Sequence, residues 1–485
     1  MNIVSEGTVL ALEEHDSGSL RTRIWDESKI TWRIAFPSII SKVTSFGIIV
    51  VTQSFLGHVS EVDLAAFALV QTIFERFVSG ILLGMSSATE TLCGQAFGAG
   101  QFHMMGIYLQ RSWIVNVLTS VAMLPIFIFA KPILNLLGQE KDIAEVGGKI
   151  CLWFIPLLYY FVFSLTIQMY LQAQLKNMIV GWLSTVSFVL HVLLSWIFVT
   201  KLGLGLTGAM GVLNISCWLQ IIGLFVYIFG GWCPNTWKGF TKDAFVDLFP
   251  VIKLSISSGV MLCLELWYNS ILVLLAGYMK NASIAISAFS ICLNISTLQL
   301  MLCLGFLAAS CVRVSNELGR GKPKAATFSI KVILATSTSI GVIFSVICLI
   351  FARQISYLFT NSEKVAEEVS SLSVLLSLSV LLNSVQPVLT GVAVGAGMQT
   401  IVAYVNLGSY YVIGIPVGVL LRYVTDLGIK GLWIGLLCGV LVQTIILSYI
   451  VWRTDWDEQV NKVSQRLNKW LVKPSEESNG SSSQA

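Results

Sequence analysis

The sequence predicts an all-α integral membrane protein: about twelve membrane-spanning helices in two six-helix lobes, related by a pseudo-twofold axis along the membrane normal. Three observations carry that reading. Of 485 residues, 55% are hydrophobic and only 12% charged, where a soluble domain is nearer to about a quarter charged. Apolar stretches long enough to cross a ~30 Å hydrocarbon core recur along the chain. A motif near the end of the second stretch returns 221 residues later, near the end of the eighth.

The apolar stretches lie near 33–56, 64–90, 108–130, 150–173, 179–200, 207–230, 248–276, 284–311, 328–351, 370–396, 402–422 and 430–452. They are continuous rather than alternating with period two, which excludes a β-barrel. Met1 to Ser28 is polar and acidic, with no apolar core and cleavage site, so the first membrane helix serves as its own signal. The expected organisation is a cytoplasmic tail (1–28), a first lobe (29–230), an inter-lobe cytoplasmic linker (231–247) and a second lobe (248–452). An amphipathic segment (453–473) and a Ser-rich, disordered tail (474–485) complete the chain.

With the N-terminus cytoplasmic, about 19 basic residues fall on the cytoplasmic side and about 9 on the other, the sense of the positive-inside rule. An even number of spans then places both termini in the cytoplasm. Trp25 and Trp32 flank the entry to the first span. After the last span, Val460, Val463, Leu467 and Leu471 form an apolar stripe, with Lys462, Arg466, Lys469 and Lys473 on the other face. Such a helix either lies on the membrane surface or docks on cytoplasmic loops.

The repeat pairs ETLCGQAFGAGQ (Glu90–Gln101) with CVRVSNELGRGKPK (Cys311–Lys324), aligning Gly98 with Gly319, Gly100 with Gly321 and Gln95 with Asn316. Both glycine pairs fall where a helix ends and the chain turns, a place where glycine supplies φ > 0. Duplicated halves suit a transporter, because a solute site between two rigid bundles can be exposed to each side in turn.

Ionisable groups at membrane depth are costly and mark function or buried partnerships. Glu265 sits well inside the seventh span, in GVMLCLELWYNSILVLLAG (Gly259–Gly277), which holds no Lys or Arg, and a buried carboxyl favours its neutral, proton-carrying form. It is the candidate proton-coupling residue. Tyr268, Asn269, Asn294, Asn383, Gln386, Asn406 and Tyr410 are the candidate cavity residues; Asn383, Gln386 and Thr390 are spaced to share one helical face, and Asn406 and Tyr410 are one turn apart. In the first half the polar candidates are Lys42, Thr52, Gln53, Glu75 and Arg76. Lys42, Glu75 and Arg76 read as an internal ion-pair network, with Lys42 equally a charge lining the cavity. His191 reads as a satisfied core histidine, and Glu90 as a capping or interhelical group.

Several function classes are excluded. The ten cysteines fall mostly inside apolar runs without metal or disulfide spacing, there is no phosphate-binding loop, and no catalytic constellation identifies an enzyme. Net charge is only +4, with no basic patch interleaved with aromatics, so nucleic acid is not a partner.

Together with QPVLTGVAVGAGMQTIVAYVNLGSYYVIGIPVG (Gln386–Gly418), the two repeated motifs closely resemble those of the plant MATE (multidrug and toxic compound extrusion) carriers, the detoxification family. The resemblance runs from about Trp25 to Trp452. It implies two lobes around a central cavity and export of small organic solutes, cationic, aromatic or flavonoid-like. It also implies a monomer that needs no cofactor and draws on a proton gradient. Glu265 matches the acid of the seventh helix in the family's second-lobe site. Two positions depart from the family pattern: Thr52 stands where bacterial relatives carry an aspartate, and Asn383 where many relatives carry another. The subgroup with Asn there resembles vacuolar flavonoid carriers and some anion-conducting tonoplast members, so the vacuolar membrane is favoured over the plasma membrane. An anion (chloride)-permeable pathway on the same scaffold is the alternative to proton antiport.

Overall fold

The computed structural model describes residues 19–246, 248–277, 283–360, 362–425 and 427–469; the expectations for the two chain ends, Leu471 and Lys473 included, lie outside them. Twelve helices among the described residues are long and apolar enough to cross a bilayer. They are α1 (Leu20–Val59), α2 (Glu61–Gly98), α3 (Phe102–Ile128), α4 (Lys141–Ala173), α5 (Met178–Lys201) and α6 (Gly205–Trp232). The second six are α7 (Leu248–Gly277), α8 (Ser283–Gly319), α9 (Pro323–Ser356), α10 (Ser373–Ala396), α11 (Gln399–Val424) and α12 (Ile429–Arg453). A shorter helix, α13 (Trp456–Lys469), follows.

Local chemistry sets the ends. Ser60 caps α2, its hydroxyl accepting from the Asp63 amide at 3.4 Å, and Glu61 and Asp63 complement the helix dipole. Pro323 opens α9, where its missing N–H is no loss. Single π-helical segments interrupt α2 at Gln71–Glu75 and α11 at Leu407–Gly414; each rotates the face that follows it, so side chains on its two sides no longer obey α-helical spacing.

The two halves pack alike. In the first, α1 packs on α5 and α6, α2 on α3 and α4, α4 on α3 and α6, and α5 on α6. In the second, α7 packs on α11 and α12, α8 on α9 and α10, α10 on α9 and α12, and α11 on α12. Each pair of the first list becomes one of the second when six is added. Between lobes, α1–α8 mirrors α2–α7, and α2 meets α8 across the axis itself.

The repeated motif occupies that axis. At its two copies the chain leaves the helix by the same bonds: the Gln101 amide donates to the Ala96 carbonyl at 2.9 Å, and the Lys322 amide to the Glu317 carbonyl at 3.0 Å. Gly100 and Gly321 hold φ of 73° and 72°, as the turn requires. Gly98 and Gly319 serve a different purpose from the one expected. They are still helical, and a Cβ on either would overlap a carbonyl oxygen of the facing helix, Asn316 O and Gln95 O respectively. Gly98→Ala is therefore expected to destabilise the protein by about 1–3 kcal/mol through overpacking. Gly100→Ala meets open space and should lose only about 1 kcal/mol through its backbone angle. Thermal unfolding of the two purified variants would rank them.

Polar contacts join the lobes at this same end. Arg313 of α8 pairs with Glu27 of α1 through two bonds, 2.7 and 2.9 Å, with both side chains buried, and also reaches Glu317 at 2.9 Å. Helix α1 begins at Leu20, well before its apolar stretch, capped by Ser19, whose hydroxyl accepts from the Thr22 amide at 3.4 Å. The Gln95 amide donates to the Gly395 carbonyl at 3.1 Å, and its repeat counterpart Asn316 donates to the Ala173 carbonyl at 3.3 Å. Each motif thus caps the end of α10 or α4 in the opposite lobe.

Helix α13 docks across the seam. Val463 and Leu467 are buried, and the helix packs on α2, α8 and α9. Arg466 is turned into the seam rather than out with the lysines: its guanidinium donates to Gln95 Oε1 at 3.1 Å and lies against Gly397. Burial holds its pKa below the usual guanidinium value.

Candidate functional site

In the second lobe, α7, α10, α11 and α12 bring polar groups together. Glu265, half-buried on α7, accepts through Oε1 from Gln386 Nε2 at 3.1 Å, and the same Gln386 amide reaches Thr390 Oγ1 at 3.1 Å. Pro387 inside α10 frees backbone at this level. The π-helical segment of α11 carries Tyr410, whose ring stacks on Tyr268 with centroids 4.3 Å apart and planes within 8°.

The tyrosines are oriented by α12. Tyr268 is fully buried and donates to the carbonyls of Gly435 and Leu436 at 3.1 and 3.2 Å. Gly439 and Gly414 leave room for its ring and hydroxyl, since a Cβ on either would collide with them. Tyr410 donates to Gln443 Oε1 at 2.5 Å, Gln443 donates to Asn406 Oδ1 at 2.7 Å, and Asn406 donates to the Met261 carbonyl of α7 at 3.0 Å. This chain locks α11 and α12 onto the helix that bears Glu265. Gln443→Leu would leave the Tyr410 hydroxyl and the Asn406 carbonyl oxygen unpaired, at about 1–3 kcal/mol for each. A lowered melting temperature is the expected result.

Two cavity candidates stand apart. Asn294 is exposed on α8, and Asn383 is half-buried without a hydrogen bond among the described residues. Asn269 lies on α7, but its side chain is outside the described residues. Gln443 was missed by sequence reasoning. Its only signal there is a lone amide in the apolar middle of the twelfth span.

The first lobe has a different chemistry. Thr52 of α1 is buried and hydrogen-bonds His191 Nε2 of α5 at 3.0 Å; His191 Nδ1 meets Ser216 Oγ of α6 at 3.2 Å. With no exposed surface and both ring nitrogens engaged, His191 is the satisfied core histidine expected. Beside it, Tyr160 donates to Gln220, Gln220 to Ser184 and Ser184 to Ser41, at 3.1, 2.8 and 3.2 Å. Gln53 donates to Gln71 Oε1 at 2.9 Å.

The expected ion-pair network is not formed. Among the described residues, no salt bridge within 4.0 Å involves Lys42, Glu75 or Arg76. Glu75 closes the π-helical segment of α2 and is half-buried, while Arg76 is exposed. The π-helical segment sets the direction in which each points, which adjacency in sequence cannot convey.

Comparison with known proteins follows the same lines. The MatE family pattern matches residues 37–197 and 258–420, two segments that begin 221 residues apart, the offset of the repeated motif. Protein DETOXIFICATION 24 of Arabidopsis thaliana is 58% identical over 461 residues, covering 95% of this chain and 92% of the relative. Protein DETOXIFICATION 25 of the same plant is 55% identical over 460 residues, covering 95% and 93%. The crystal structure of the eukaryotic MATE transporter AtDTX14 is 31% identical, with TM-score 0.86 over 92% of this chain and 99% of that one.

Proposed function

The chain belongs to the MATE family of multidrug and toxin efflux transporters, and from that premise we propose that it exports or sequesters small organic compounds in exchange for protons, by alternating access of its two lobes. It is a multi-pass membrane protein and a transporter rather than an enzyme. The observation that supports proton exchange is Glu265, a carboxyl at membrane depth that accepts from the neutral amide of Gln386 at 3.1 Å.

A carboxyl at membrane depth that is bonded by a neutral amide can take up and release a proton. Protonation removes the charge that would hold a cationic solute and alters what Gln386 can accept or donate. The rearrangement reaches Thr390 on α10 and, through the Tyr268–Tyr410 stack, α11 and α12. Substrates of the cationic, aromatic or flavonoid-like kind are the proposed cargo, with the Glu265 carboxylate as the group for positive charge. The lobes are held together at the end of the bundle that carries Glu27 and α13. Both termini are assigned to the cytoplasm, so the present state is closed on the cytoplasmic side. A monomer in the vacuolar membrane, needing no cofactor beyond the proton gradient, completes the reading.

The test is transport by the purified protein in liposomes. An imposed pH gradient should drive accumulation of an organic cation such as tetraethylammonium or of a flavonoid, and a protonophore should abolish it. Equal rates with and without the gradient would overturn proton exchange.

A further inference from the structure

Glu90 is a buried acid that the proposed coupling site does not use. It is 4% exposed on α2, and its Oε1 has no hydrogen-bond partner among the described residues. Its repeat counterpart is Cys311, 221 residues on, and the buried thiol is the neighbour of the carboxyl at the pseudo-twofold axis. A thiol is a weak donor. The other titratable group bearing on Glu90 is Lys42 of α1, which acts from beyond ion-pair distance.

The position matters as much as the burial. Glu90, Gly94 and Gly98 follow one another at four-residue spacing along one face of α2, and Cys311, Ser315 and Gly319 do so along α8. Gly94 fits against Ser315 and Gly98 against Asn316 so closely that a Cβ on either would overlap the other helix. These two stripes form the closed seam, and Glu90 stands at its inner edge. If the lobes part along the seam, water reaches Glu90. Once ionised, the carboxylate opposes reclosure, because reburying it with only a thiol for partner carries a large desolvation penalty.

We infer that Glu90 is a second proton-exchanging group that gates the α2–α8 seam, holding a proton while the seam is closed and releasing it to water when the seam opens. The O–H bond breaks in the open state, the proton leaves to the aqueous phase at that face, and Lys42 supplies the nearest positive charge for the carboxylate. On return, proton uptake permits closure. The inference rests on lobes that move by alternating access but is independent of whether Glu265 is the coupling acid. Glu90 is thus a positioning residue for the transport cycle rather than a substrate ligand.

Hydrogen–deuterium exchange of the full chain in lipid nanodiscs tests this. Peptides covering 86–101 and 307–322 would be followed from pH 5 to 8, with rates corrected for intrinsic exchange. Wild type should lose protection in both segments together as pH rises. Glu90→Gln should stay protected and flat. Lys42→Met should move the midpoint up by about one pH unit, an arm that holds even if Glu90→Gln does not fold. Glu265→Gln should leave the midpoint in place, which separates failure of this inference from failure of proton coupling at Glu265. No pH response in wild type, the same response in Glu90→Gln, or an unmoved midpoint in Lys42→Met would each overturn the gate.

Discussion

Glu265→Gln is expected to reduce pH-gradient-driven transport to the rate seen without a gradient, while the protein stays folded. The amide is nearly isosteric, and its oxygen can still accept from Gln386 Nε2, which now donates to Glu265 Oε1 at 3.1 Å. Stability should therefore change by less than about 1 kcal/mol. What the variant loses is the ability to exchange a proton and to present a negative charge. Gln386→Leu is the companion variant: it keeps the acid but removes its donor and strands Thr390, so it should slow transport without abolishing its dependence on the gradient. Proteoliposome uptake with and without an imposed pH difference measures both. Undiminished gradient-driven transport by Glu265→Gln would remove this residue from the mechanism.

Arg313→Ala should be the most destabilising single substitution at the seam. The guanidinium holds Glu27 of α1 at 2.7 and 2.9 Å and Glu317 at 2.9 Å, and all three side chains are at most 9% exposed. Removing it leaves two buried carboxylates facing one another; breaking a buried pair in this way costs about 3–5 kcal/mol. Arg320 retains Glu317 at 3.1 Å and softens the loss there. Replacing the pair together, as Arg313→Met with Glu27→Gln, should recover most of the stability, since Glu317 keeps Arg320. Thermal melts of the single and double variants decide it. A single variant that melts with wild type would mean the seam does not depend on this cluster.

The spans, their number and the duplication were legible because each is written locally. A helix in hydrocarbon must satisfy its own backbone, so its length and apolar composition stand in the sequence whatever its neighbours are. The 221-residue offset is equally direct, and the matching bonds after Ala96 and Glu317 are its three-dimensional consequence. Glu265 was legible for a related reason: an acid in a lipid-depth stretch stands out without knowledge of its partner.

Partnership was not legible. Gln386 lies 121 residues from Glu265 and Arg313 lies 286 from Glu27, and no local pattern states how far each helix is rotated about its axis. The one-turn pairing of Asn406 with Tyr410 is an instructive case: a π-helical segment begins between them, yet both converge on Gln443 of another helix. Lys42, Glu75 and Arg76 show the converse: three charges at membrane depth in one lobe invite an ion-pair network, yet no salt bridge within 4.0 Å joins them among the described residues.

By itself, then, the sequence determined a duplicated twelve-helix membrane transporter and the acid in its second half. The tertiary structure alone decided which groups meet that acid, that Gly98 and Gly319 serve close approach rather than a turn, and that Arg466 enters the seam. The division has one physical cause. The bilayer acts on every helix separately and leaves its mark on composition, whereas hydrogen bonds and close packing between helices depend on rotation and register, which exist only once the helices are assembled.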